Sequence, residues 1–181
     1  MVDKIENLIY FIIFLTLLSS VSFVHAQSTK ELQIEKTQTI EDFVKKYLPN
    51  EDQVTYTIVP RGLVISVSTD FLFNEAGVDI KQDAYDFLYK IGCILKAINK
   101  PCVVEGNALT QSDTDTLSNM ELSIIRADEI VEFLIQKNKI NPNLLRAIGF
   151  GNILPFYDNV SYKGHLDKRI DFVIFNYETE R

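Results

Sequence analysis

Arg126 is a charged residue on the apolar side of an amphipathic helix. The stretch 118–134 reads SNMELSIIRADEIVEFL, and Ser118 with Glu121 forms an S-x-x-E capping box that marks a helix start. At about 100° per residue, Arg126 projects among Leu122, Ile130 and Phe133, whereas Asp128, Glu129, Glu132 and Gln136 share a different, solvated face. A guanidinium stays protonated and is costly to bury alone. Arg126 is therefore expected to face an anion, either another side chain or a bound carboxylate.

Other chemistry is sparse. Cys93 falls late in an expected helix and Cys102 opens the next strand, so the two can meet across a short turn. A disulfide is one reading, and a pair of unbridged core thiols is the other. His165, the only histidine after residue 26, has no neighbouring ligands, so no metal site is expected. No nucleophile stands beside a base, and no glycine loop suits a phosphate. The expectation is a protein that is not an enzyme and has no cofactor. A net charge of −7 also argues against nucleic acid as a partner, since phosphate contacts need a basic face.

The elements that must position Arg126 follow from periodicity. Leu8 to Val24 is nearly all apolar and is followed by Val24-His25-Ala26, a pattern expected of a signal peptide covering residues 1–26. An uncleaved membrane anchor is the rival reading, and only then would the chain touch a membrane. Without Asp or Glu in that run, a proton-carrying membrane helix is not expected. Export makes a disulfide chemically possible. Residues 27–52 read as a linker or short helix, with Ile40, Phe43, Val44 and Tyr47 as its stripe. From 53 to 181 the pattern is that of one domain. Val54–Val59 and Leu63–Thr69 suit a hairpin around Pro60-Arg61-Gly62, and 80–98 is helical with Ala84, Phe87, Leu88, Ile91, Leu95 and Ile98 inward. Cys102–Glu105, Leu145–Phe150 and Ile170–Phe175 suit strands, the first two flanking the Arg126 helix. The order β-β-α-β-α-β-β predicts an α/β (α+β) sandwich with two helices on one face of a mixed sheet.

From Val54 to Phe175 the chain resembles the OmpA/MotB-type C-terminal domain, as a divergent member. The resemblance is carried in order by Gly62-Leu63-Val64-Ile65, by Phe73 with Gly77 and Ile80, and by Val104-Glu105-Gly106. It continues through Ser118-Asn119-Met120-Glu121-Leu122-Ser123 with Arg126-Ala127, close to the form seen on the MotB side. Gly149-Phe150-Gly151 with Pro155, then Asp167-Lys168-Arg169-Ile170-Asp171, complete it. The resemblance implies a domain that binds peptidoglycan non-covalently through the diamino acid of its stem peptide, with no catalysis, in the periplasm or associated with the outer membrane. That zwitterion needs an acid for its ammonium and an arginine for its carboxylate, and Arg126 falls on the family's arginine. Carried over, the binding residues are Arg126, Asn107, Leu109, Thr110, Asp167, Lys168 and Arg169.

The chain departs from the pattern where Asn107-Ala108-Leu109 replaces His-Thr-Asp, so the family's aspartate is Leu109. Asp113, Asp115 or Asp167 would have to replace the acid; otherwise Asp113 and Asp115 are a solvated loop. Arg126 is then either a carboxylate clamp or half of an internal ion pair with Asp167 or Asp171. Lys168-Arg169 is either an exposed strand-edge pair or a rim contact to the stem peptide. The alternative function is a degenerate domain without peptidoglycan binding, serving as a protein–protein part of an envelope or flagellar-motor assembly. A third reading is a pocket altered for a wall with a different diamino acid.

Overall fold

Strand β1 (Val54–Val59) and strand β2 (Gly62–Ser68), rich in β-branched residues, pair as the expected antiparallel hairpin, from Val54 opposite Val67 to Val59 opposite Gly62. The structure, a computed structural model, describes residues 31–32, 34–48, 53–74, 77–108, 117–153 and 168–176. The chain divides into two units, Met1–Lys36 and Thr37–Arg181. The described residues of the first are helical. The second opens with helix α1, residues 37–47.

After the hairpin come a single helical turn α2 (Thr69–Leu72) and helix α3 (Tyr85–Ile98), then strand β3 (Cys102–Asn107) and helix α4 (Asn119–Asn138). Strands β4 (Leu145–Gly149) and β5 (Arg169–Phe175) follow. The expected β-β-α-β-α-β-β order is observed. The five strands lie in the order β1-β2-β5-β3-β4. The step β3-α4-β4 gives the parallel pair, and β5 runs antiparallel between β2 and β3. Gly62 is where β2 must approach β5. Its φ is +148°, and a Cβ there would stand 1.9 Å from the Ile174 carbonyl oxygen.

Alternation divides the sheet residues between two faces. Leu63, Ile65 and Val67, Cys102 and Val104, and Ile170, Phe172 and Ile174 form one core with Phe87, Leu88, Ile91 and Leu95 of α3 and Ala127, Ile130 and Leu134 of α4. Each such buried side chain contributes about 1.5–3 kcal/mol relative to exposure. The other face carries a smaller apolar cluster, Val59, Val64 and Val173, and beside it a polar one. The β2 pattern of apolar and small polar residues reads as a half-exposed strand, yet all seven of its residues are buried, because Ser66 and Ser68 belong to that polar cluster.

Helix α1 corrects a second expectation. Its inward stripe is Thr37, Ile40, Val44 and Leu48, whereas Phe43 and Tyr47 lie outside. Tyr47 is half exposed and stacks at 5.0 Å on Phe43. The Tyr56 hydroxyl donates to the Leu48 carbonyl at 2.7 Å, and Asn176 donates to Thr37 Oγ1 at 2.9 Å, so α1 is fastened at both ends.

Candidate functional site

Helix α4 starts where its capping box requires. Ser118 Oγ accepts the Glu121 backbone N–H, and the Glu121 carboxylate accepts the Ser118 backbone N–H at 2.9 Å. Two glycines let the helix lie against the sheet. A Cβ on Gly106 would stand 2.1 Å from the Ser123 carbonyl oxygen, and one on Gly149 would stand 2.6 Å from the Ile124 nitrogen. Ser123 Oγ also accepts the Gly151 N–H at 2.9 Å, which ties the loop after β4 to the helix. One turn further on is Arg126.

Arg126 is 5 % exposed and, among the described residues, makes no ion pair. Its Nε donates to the Gly77 carbonyl at 2.9 Å, and Nη2 reaches the Asn74 carbonyl at a longer 3.3 Å. The guanidinium carbon lies 5.1 Å from the centre of the Phe73 ring, within cation–π range. Burial pulls the guanidinium below its ordinary pKa, and the Asp70 carboxylate opposes that shift. An arginine has five N–H donors. Two carbonyls and a ring orient this one without neutralising it. The arrangement suits a carboxylate received from outside.

Of the two internal partners expected for Arg126, Asp167 lies outside the described residues and Asp171 is engaged elsewhere. Arg169 Nε contacts Asp171 Oδ2 at 2.8 Å, with both side chains essentially fully buried. Asn107 Nδ2 approaches the same oxygen at 3.4 Å. Glu105 lies across from Asp171 in register and is gripped by Arg61, Nη1 to Oε1 at 3.0 Å and Nη2 to Oε2 at 3.1 Å. Burial pushes both carboxyls above the ordinary range, and Arg61 and Arg169 only partly offset this. Among the described residues Asn107 Oδ1 has no hydrogen-bond partner, and the Ser66 side chain adds a hydrogen bond to the Asp171 carboxyl.

This cluster corrects two expectations. Arg169 is neither an exposed strand-edge residue nor a rim contact, because β5 is an interior strand and its polar side chains pair within the sheet. Asn107, likewise, is buried with Asp171 on the face opposite the helices. Arg126 is therefore not brought together with Asn107 or Arg169. Lys168 is half-buried, and its carbonyl accepts the Thr69 N–H at 3.0 Å. Leu109, Thr110, Asp113, Asp115 and Asp167 lie outside the described residues. Glu105 and its partner Arg61, quoted only as a motif letter and a turn residue, are the members of this cluster that sequence reasoning missed. An acid in the apolar run CVVE was the available signal.

The cysteines do not bridge. Both are free: Cys93 is exposed on α3, while Cys102 is sealed into the core beneath the helices. Burial, and then the charge of Glu105, push the Cys102 thiol far up. Among the described residues no group of acids, cysteines and histidines is arranged to hold a metal, and no helix is long and apolar enough to cross a membrane.

The architecture matches solved domains. A MotB-like protein from Desulfovibrio vulgaris superposes with a TM-score of 0.66 at 17% identity, covering 84% of this chain and 96% of that one. The cell wall anchor of the T6SS from Pseudomonas aeruginosa gives 0.60 at 19% identity, over 75% and 96%. The periplasmic domain of Helicobacter pylori MotB gives 0.57 at 23%, over 67% and 81%. These are mixed-sheet α+β domains of one fold.

Residues 71–167, more than half of the chain, match the OmpA family, and the chain belongs to that family. Its domains are not enzymes. Two Bacillus subtilis proteins are similar at 26% identity. One is Motility protein B, over 155 residues, 82% of this chain and 58% of that protein; the other is YtxE, over 126 residues, 67% and 52%. The chain thus spans little more than half the length of these relatives.

Proposed function

We propose that the chain is an exported cell-envelope protein that binds peptidoglycan non-covalently. Arg126 takes a carboxylate of the stem-peptide diamino acid. The observation that carries this reading is a buried guanidinium held by the Asn74 and Gly77 carbonyls and the Phe73 ring, with no acid bound to it among the described residues. A clamp oriented in advance loses little entropy when its ligand arrives. Similarity to a motility protein and to a cell wall anchor supports an envelope setting. In this reading residues 1–26 are the export signal, 27–52 lead into the domain, and Lys168, Thr110 and Asp167 border the ligand.

A second reading is favoured by two observations. Leu109 stands where the family's acid is expected, and a groove of about 510 Å³ between α1 and α3 is lined by Phe43, Tyr47, Tyr89, Ile94 and Ala97. An open apolar groove suits a protein partner in an envelope or motor assembly. Co-sedimentation of the chain with purified sacculi, beside Arg126→Ala, separates the two. Binding by the parent that the variant loses supports the clamp. No sedimentation of either leaves the protein–protein role.

A further inference from the structure

Helices α1 and α3 each carry a second stripe of side chains that the core does not use. On α1, Ile40, Val44 and Leu48 face inward, while Phe43 and Tyr47, one turn apart, face out. On α3, Phe87, Leu88, Ile91 and Leu95 face inward, while Tyr89, Cys93 and Ala97, again a turn apart, face out. The two outward stripes meet as walls of the groove of about 510 Å³. One apolar stripe suffices to hold a helix on its own core. A second, matched by one on the neighbouring helix, is what a further helix packs against, because rows of side chains four residues apart are the ridges that seat it.

The groove also carries one sign of charge. Among the described residues Lys90 is the single charged member of its lining, and the Lys46 ammonium lies 5.3 Å from the centre of the Tyr47 ring. Neither lysine makes an ion pair among the described residues. The acids of the same two helices, Glu41, Asp42 and Asp86, are outside the lining, and Glu41 is held by Lys45 at 2.6 Å. A basic groove on a chain of net charge −7 runs against the general balance. We propose that it docks an amphipathic helix of a protein partner, whose apolar stripe fills the space between α1 and α3 and whose flanking acidic residues meet Lys46 and Lys90. This names the partner of the second reading and rests on that reading. It does not require Arg126 to be idle, since the lining shares no residue with the Arg126 site. A second copy of the chain is a poorer occupant. A twofold contact sets the same patch against itself and would oppose lysine to lysine.

The test is selection of a phage-displayed library of helical peptides on the full chain. Enriched peptides are then titrated against the parent, Tyr89→Ala and the double variant Lys46→Glu, Lys90→Glu. All three side chains are exposed, so an unchanged thermal midpoint is expected of each variant. Cys93 is exposed in the groove and Cys102 is sealed, so protection of one thiol from an aromatic disulfide reagent reports occupancy. The enriched peptides should carry apolar residues at alternating three- and four-residue spacing with acids beside them, and should protect Cys93. Charge reversal should weaken them by about fivefold for each lysine. Tyr89→Ala should weaken them by about tenfold. Cys93-protecting peptides that lack acids, or that bind the charge-reversed variant as tightly as the parent, would overturn the inference and leave the protein-partner reading standing. No protecting peptide, equal affinity for Tyr89→Ala, or protection of Cys93 only by self-association of the chain or by phosphatidylglycerol vesicles would overturn both.

Discussion

Arg126 and Glu105 are both buried charges, and the fold treats them differently. Glu105 receives a two-pronged partner in Arg61, whereas among the described residues Arg126 receives carbonyl dipoles and a ring. Removing Arg61 leaves a buried acid unsatisfied, so Arg61→Ala should cost about 1–3 kcal/mol in urea unfolding. A change indistinguishable from zero would mean that the pair is ornamental. Acidity separates the buried carboxyls from the surface one. Glu105 and Asp171 have raised values in the folded state, so their contribution is fullest below the unfolded values and is lost as pH rises through the folded ones. Glu121 is held down by its bonds to Ser118, so its contribution is present above the ordinary value and lost as pH falls. Replacing Glu105 by Gln and Asp171 by Asn should therefore shrink the decline in stability between roughly pH 5 and pH 7. An unchanged slope in denaturation at the two pH values would contradict the assignment. The sequence made Arg126 conspicuous because one charge interrupts an apolar stripe. It could not reveal that carbonyls hold it, since backbone partners have no letter of their own. Glu105 and Asp171 were legible as acids within strands but not as neighbours, because that requires knowing that β5 pairs with β3.

At the scale of elements, helix α4 owes its position to its cap and to the bare backbone beneath it. Ser118→Ala should lower stability by about 1 kcal/mol, read as a fall in thermal midpoint. Gly106→Ala is a different kind of lesion. Its Cβ would meet the Ser123 carbonyl oxygen at 2.1 Å, and the obstacle is backbone that cannot rotate away. The helix must shift, which costs about 1–3 kcal/mol, and Arg126 shifts with it. Sacculus binding should therefore fall further than the loss of folded protein explains; a decline strictly matching stability would sever helix position from function. The capping box was fully legible, since its two side chains are three residues apart. Gly106 and Gly149 were visible as motif glycines, but their reason, the approach of α4, is a tertiary fact. Helix α1 shows the opposite failure. Its apolar residues fill two stripes, and the sequence alone assigned Phe43 and Tyr47 inward where Thr37 and Leu48 belong.

For the whole molecule, the order of elements followed from periodicity because several breaks carry a glycine or proline, as at Pro60-Arg61-Gly62, Pro101, Pro142 and Gly149. The place of β5 between β2 and β3 did not follow, and the readings of Arg169 and Asn107 depended on it. Membership of the OmpA family and the shared architecture leave the ligand as the point on which the account turns. The most direct measurement is a titration of isotopically labelled chain with the diaminopimelate stem peptide, following the Arg126 Nε–H resonance and the Gly77 backbone amide by NMR. The account predicts that both shift together and saturate, and that the Nε–H signal becomes protected from exchange. Saturable shifts confined to the groove of Tyr47 and Tyr89, or no shifts at all, would contradict it.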